Sequence, residues 1–290
     1  MISVIVIVKN DRGIKETLSK LVKIPKPEKT EIIVVDASEG NLDDIRKRFK
    51  SVRWIFFHNR TQKKYTIPEQ RNLGIRESKG DVVIFIDANC IPEKGWLNEL
   101  LKSIYEEGEY IVAGQTRSRY KTTINDLIIK RNEKKKYLDE FATINLAFKK
   151  EIIDKIGLFD ERFDYGSDVD YSWRAIDAGF KIRYNPKAVI YHDWGSNSRE
   201  YKRILLYGSA RTRLYLKHKN RWRNIFANDP IVLIYPVLII GLPIMIIFPY
   251  YPLLLMLLVL KNIRQPNPVG IVIKHIVYGL GVLKELISKL

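Results

Sequence analysis

Short apolar runs alternate with polar, helix-compatible stretches through the first ninety residues; the runs are Ser3–Val8, Glu31–Val35, Val52–Phe57 and Asp81–Ile86. Continuous β-branched runs at such separations are the pattern of buried parallel strands joined by helical crossovers. They predict an α/β fold with a Rossmann-like, mainly parallel sheet. Helices are expected near 12–23, 68–79, 94–107, 150–156 and 168–179, the last stopped by Gly179 ahead of a strand-like Lys181–Tyr184. The pattern then changes. Residues 231–260 contain no charged residue, His, Asn or Gln, well beyond the roughly 18 apolar residues that suggest a membrane span. From Val269 to Leu290 apolar residues recur at helical spacing, as in a helix lying in a membrane interface. These shifts divide the chain into an α/β domain at 1–198, a basic juxtamembrane helical segment at 199–228, a hydrophobic membrane segment at 229–263 and an amphipathic interfacial helix at 264–290.

Within the apolar block, Pro249-Tyr250-Tyr251-Pro252 breaks the helical pattern, so a hairpin or re-entrant loop is expected ahead of one long tilted span. Lys and Arg flank the block on both sides, which by the positive-inside tendency keeps both ends, and the α/β domain, on the cytoplasmic face of the cell membrane. The chain of 290 residues has 50 Lys and Arg against 33 Asp and Glu, a net charge of +17. Such a charge draws an anionic partner. The cations crowd beside the apolar block, with nine Lys or Arg and one Glu between Arg199 and Arg223, so an anionic membrane surface is expected and nucleic acid is not. The single cysteine, Cys90, excludes an intramolecular disulfide and reads as a small buried residue. No GxGxxG or GxxxxGK[ST] loop is present, which removes support for a Walker NTPase or a fingerprint dehydrogenase. Asn59-Arg60-Thr61 matches a glycosylation acceptor that a cytoplasmic domain would never use.

Ligands of open α/β sheets bind beyond the carboxyl ends of the strands. The polar residues there are Lys9 and Asn10, then Asp36, then Asp87 and Asn89. Asp87-Ala88-Asn89 places two short oxygen-bearing side chains where they can reach a hard cation, Mn²⁺ or Mg²⁺, and a diphosphate together. Taken alone, this triplet also reads as a turn or cap. Asp168 and Asp170 begin a helix, where carboxylates are stabilised by free N–H groups whether or not they do chemistry. His192 follows another apolar run and offers a neutral nitrogen to a metal.

In chain order the blocks SVIVIVKN, EIIVVDAS, QRNLGIRESKGDVVIFIDAN, TINLAFKKEIIDKIGLFDERF, GSDVDYSWRAIDAGFKI and VIYHD resemble the family 2 glycosyltransferases, inverting enzymes of the GT-A fold, over roughly residues 1–195. The resemblance implies an α/β GT-A catalytic domain, which the apolar block then extends with C-terminal membrane helices. It implies a nucleotide-diphosphate sugar donor, with Asp36 on the base and Arg71 and Asn72 near the nucleotide. Asp87 and Asn89 match the ends of the Asp-x-Asp motif that touches ribose and holds the metal, His192 a histidine near metal and diphosphate, and Asp168 the general base. Asp170 and Arg174 stand in support. Two positions depart from the family pattern: Asn89 replaces a metal-binding Asp, and Ser167 replaces the Glu before the base. A single displacement at the anomeric carbon needs one carboxylate base and a stabilised leaving diphosphate, whereas a glycosidase needs a facing pair of carboxylates. A lipid-linked or membrane-presented acceptor is expected, because tethering beside the bilayer raises effective concentration. The rival readings are a non-catalytic protein binding lipid or nucleic acid, and a nucleotidyltransferase.

Overall fold

The computed structural model describes residues 1–59, 66–119, 132, 135–193, 200–265 and 267–289. Arg60 and Thr61 of the glycosylation sequon lie outside them. The chain separates into two compact units, Met1–Trp194 and Gly195–Leu290.

In the first unit, β1 (Ile2–Val8), β2 (Thr30–Asp36), β3 (Arg53–Phe56) and β4 (Val82–Ile86) pair parallel in the order β3-β2-β1-β4, close to the runs that predicted them. They are linked through α1 (Ile14–Leu21), α2 (Asp43–Arg48) and α3 (Ile67–Glu77). The chain continues through β5 (Cys90–Pro92), α4 (Trp96–Tyr105), β6 (Ile111–Ser118), β7 (Tyr137–Leu138) and β8 (Asn145–Lys149). It ends with α5 (Ile153–Ile156), α6 (Ser167–Asp177) and β9 (Ile182–His192). The full order is β3-β2-β1-β4-β8-β6-β9-β5, with β7 on β9.

The mainly parallel sheet is corrected to a mixed one: β8 runs antiparallel to both β4 and β6, and β5 and β7 run antiparallel to β9. A strand buried on both faces carries the same apolar run whichever way it points, so direction was not encoded in the pattern. Alternate side chains of β1 enter opposite cores. Val4 and Val6 join Leu18, Trp96 and Leu100 on one face, while Ile5 joins Ile75, Phe148 and Tyr171 on the other. On that second face α3 lies directly on the sheet, because a Cβ at Gly74 would stand 2.7 Å from Ile5 Cγ2. Arg71 sits one helical turn before this contact.

The second unit is helical: α7 (Glu200–Lys217), α8 (Arg223–Ala227), α9 (Ile231–Ile240), α10 (Leu253–Lys261) and α11 (Pro268–Ile287). Helices α7 and α11 meet through small residues; any Cβ at Gly208 would overlap the Tyr278 carbonyl, and Ser209 donates to the Gly281 carbonyl at 2.8 Å. Asp229 accepts from Tyr215 at 3.2 Å and pairs with Arg211 at 3.1 Å, fastening the start of the apolar block to α7. The C-terminal membrane helices expected from the sequence are not supported by the helices that form. Among the described residues no single helix is long and apolar enough to cross a membrane, and one bent pair, Lys219–Ala227 with Ile231–Ile240, passes that test only jointly across an 80° bend. The thirty-residue block is cut into α9, a 3₁₀ turn at Leu242–Ile246, and α10, because Gly241 and Pro243 end the first helix and Pro249 and Pro252 separate the rest.

Candidate active site

The exits of the parallel strands are tied to one another by short side chains. Asn10, in the left-handed region at φ 57°, donates its backbone N–H to Ser38 Oγ at 2.7 Å and accepts from Asn41 Nδ2 at 2.7 Å. Asp36, buried at the end of β2, accepts from the Ser38 N–H at 2.8 Å. Lys9 stands exposed beside this turn. The next exit carries Asp87-Ala88-Asn89. Thr17 of α1 donates to the Ala88 carbonyl at 2.6 Å, and a Cβ at Gly13 would come within 3.0 Å of Asn89 Cβ, so α1 holds the triplet from below. Asn89 Nδ2 donates to the Asp193 carbonyl at 3.0 Å, and the antiparallel register sets Cys90 opposite His192. Asp87, Asn89 and His192 are therefore brought to one edge. Burial pushes the Asp87 carboxyl above its ordinary value, Arg71 pulls it back, and Asp11 adds to the rise.

The chemistry of this set suits a hard divalent cation: a carboxylate, an imidazole, and an amide whose donor side is already engaged, leaving Asn89 Oδ1 to ligate. Among the described residues no group of three His, Cys, Asp or Glu side chains could hold a metal by itself. A cation here needs the Asn89 oxygen and oxygens of a ligand.

The opposite wall is built by α3 and α6. Arg71 is buried, donates from Nη1 to Ser167 Oγ at 3.2 Å, and lies over the Phe159 ring at 5.5 Å. Burial lowers its pKa, while the charges of Asp168 and Asp87 act to raise it. Asp168 is in the first turn of α6, after Gly166 at φ 81°. Burial raises the Asp168 carboxyl; Arg71 and the N–H of Val169 oppose the rise, and Glu140 adds to it.

The other named residues fall into supporting positions. Asn72 donates to the Phe159 carbonyl at 2.9 Å and to Glu161 at 2.8 Å, and accepts from the Phe159 N–H at 2.9 Å. Both of its donors are thus used on the protein's own backbone and side chains, so it sets the loop under Arg71. Asp170, at 0% exposure, pairs with Arg174 Nε at 2.9 Å, and Arg174 also donates to the carbonyls of Ile156 and Leu158. That pair staples α6 to the turn after α5. Sequence reasoning missed Thr17 and Gly13 as supports of the Asp87 turn, since neither carries a motif signal. It noticed Ser167 only as a departure.

The sequence profile of glycosyl transferase family 2 matches residues 3–159. The pre-mycofactocin glycosyltransferase of Mycobacterium tuberculosis is 28% identical over 165 residues, which cover 52% of this chain and 35% of that protein. The chain thus spans about a third of that relative's length. The glycosyltransferase AglE of Haloferax volcanii is 25% identical over 246 residues, 78% of each chain. Among solved structures, the mannosyltransferase PcManGT from Pyrobaculum calidifontis, in complex with GDP-Man and Mn²⁺, superposes with a TM-score of 0.73 at 18% identity, covering 100% of this chain and 88% of that one. The GT-A-like α/β fold is shared.

Two aspartates two positions apart thus make different contacts, and stability separates them. Asp170→Ala strands a largely buried guanidinium and is expected to lower unfolding free energy by about 3 kcal/mol. Asp168→Asn keeps the side-chain shape and removes a charge that supports Arg71 without an ion pair to it, so it is expected to cost less, about 1 kcal/mol. Urea unfolding of the two variants checks this; equal losses would contradict it.

Proposed function

The chain belongs to glycosyl transferase family 2, and from that membership we propose that it transfers a sugar, with inversion, from a nucleotide-diphosphate sugar to an acceptor hydroxyl or phosphate. The observation that carries the proposal is buried Arg71, which donates to Ser167 Oγ beside Asp168 and whose charge is supported by both Asp168 and Asp87. Family membership favours this reading over a nucleotidyltransferase or a non-catalytic binding protein.

In the proposed reaction Asp168 accepts the proton of the acceptor hydroxyl, the acceptor oxygen bonds to the anomeric carbon from the opposite face, and the bond to the diphosphate oxygen breaks with its electron pair leaving on the nucleotide. Lys9, Asn10 and Asp36 line the nucleotide end. Asp87, Asn89 and His192 would hold a Mn²⁺ or Mg²⁺ ion, which when bound supplies positive charge to the leaving diphosphate. The Mn²⁺ in the Pyrobaculum calidifontis mannosyltransferase complex supports that choice of cofactor.

The acceptor is proposed to be lipid-linked and the α/β unit to sit at the cytoplasmic face of the cell membrane. Ile246 and Ile247 in the helical unit are 88% and 89% exposed, and Val237, Ile240, Leu257 and Ile263 all exceed 60%. An apolar surface of this extent calls for cover, and the neighbouring cations suit anionic lipid. The break at 249–252 favours a hairpin or re-entrant insertion.

Asp168→Asn is expected to lower turnover by roughly 10²–10⁴ with donor binding retained. Because burial raises the Asp168 carboxyl, the wild-type rate should climb with pH through a limb above the ordinary carboxylate range, as the base loses its proton. Release of free nucleoside diphosphate is the readout, and near-wild-type turnover of the Asn variant would sink the assignment. Excess chelator should stop transfer, while Asn89→Asp should tighten metal binding by restoring a charge.

For topology, single cysteines at Asn228 and Lys289 in a Cys90→Ser background should both be protected from an impermeant reagent on intact cells. Labelling of the Lys289 site alone from outside would refute the hairpin.

A further inference from the structure

We propose that Ser167 is a positioning residue that fixes the Arg71 guanidinium beside the first turn of α6 without neutralising it, so that its undivided positive charge serves Asp168 and Asp87 alike. The inference rests on the reading of Asp168 as the base and assigns a role to the side chain beside it.

The contact is well enclosed: Ser167 is 2% exposed, Arg71 is 8% exposed, and Nη1 donates to Oγ at 3.2 Å. Arginine has five donors and no acceptor, so the hydroxyl is the accepting partner and contributes no charge. The guanidinium is held on its other side by the Phe159 face at 5.5 Å, and Phe159 is itself fixed by Asn72 and by the stacked Tyr171 ring at 4.2 Å. Ser167 and Phe159 thus define where the charge sits. A carboxylate at 167 would form an ion pair with Arg71 and draw its charge away from the other two acids. The hydroxyl leaves it intact.

The groups facing Asp168 are few enough for a titration to read this arrangement. Arg71 faces it from α3 and Glu140 from the segment before β8, while on α6 itself Asp170 is occupied by Arg174. Arg71 is therefore the cation whose displacement Asp168 should feel.

The test is ¹³C-carboxyl NMR titration of Asp168 in the full-length chain labelled with [¹³C]aspartate, the signal assigned by its loss in Asp168→Asn. Ser167→Ala should raise the Asp168 midpoint by about half a unit or more, and Ser167→Glu by more still. Ser167→Thr keeps the hydroxyl and should retain the wild-type midpoint. In transfer assays the acid limb of kcat/KM should move in the same direction, and kcat of Ser167→Ala should fall roughly tenfold. An unchanged Asp168 midpoint in Ser167→Ala overturns the proposal whether or not the protein transfers sugar and whatever Ser167→Glu does, since a new carboxylate beside Asp168 raises its midpoint by repulsion alone. A shifted midpoint without sugar transfer by the wild type supports the positioning role and rejects the functional reading instead.

Discussion

A guanidinium taken out of water has to be met by anions, and in this fold that requirement organises the catalytic unit. Arg71 remains charged at any working pH, and its burial is tolerable because Asp87 and Asp168 lie within reach. Those two residues come from opposite walls: one from the turn after β4, the other from the first turn of α6. Many of the polar contacts nearby serve to keep that meeting point in place. Gly74 lets α3 settle on the sheet, Asn72 fixes Phe159 beneath the guanidinium, the Asp170–Arg174 pair fastens α6, and Thr17 holds the Asp87 turn.

The same arrangement explains how a carboxylate can remain a useful base in an enclosed site. Desolvation alone would drive Asp168 toward its protonated form, and Arg71 counters it. Asp87 experiences the same opposition of burial and Arg71. In the reaction proposed above, the cation would serve both halves of the displacement, the leaving diphosphate near Asp87 and the proton accepted by Asp168.

Much of this was legible in the amino-acid sequence. The strands β1, β2 and β4 announced themselves as buried β-branched runs and the half-exposed edge strand β3 as a shorter apolar one, and the rule that ligands bind past strand ends pointed to Asp36, Asp87 and Asn89. Strand direction was not legible, because β8 carries the same apolar signature either way round. Neither was the difference between neighbours: Asp170 pairs with Arg174 one turn along α6, while the Asp168 carboxylate accepts from the Val169 N–H. Asn72 likewise looked like a ligand contact and proves to be a clamp on Phe159, some 87 positions along the chain. The apolar block was read correctly as interrupted at 249–252, but Gly241 and Pro243 break it a second time, so its length in residues overstated its length as a helix.

The most direct test of the central claim is the transfer rate of Arg71→Gln, measured as nucleoside diphosphate released from donor and acceptor by a variant confirmed as folded by circular dichroism. If one guanidinium supports both carboxylates, neutralising it should reduce kcat/KM by roughly 10² or more, since a preorganised charge in a water-poor site typically contributes that much. A folded Arg71→Gln protein that transfers sugar at the wild-type rate would contradict the account.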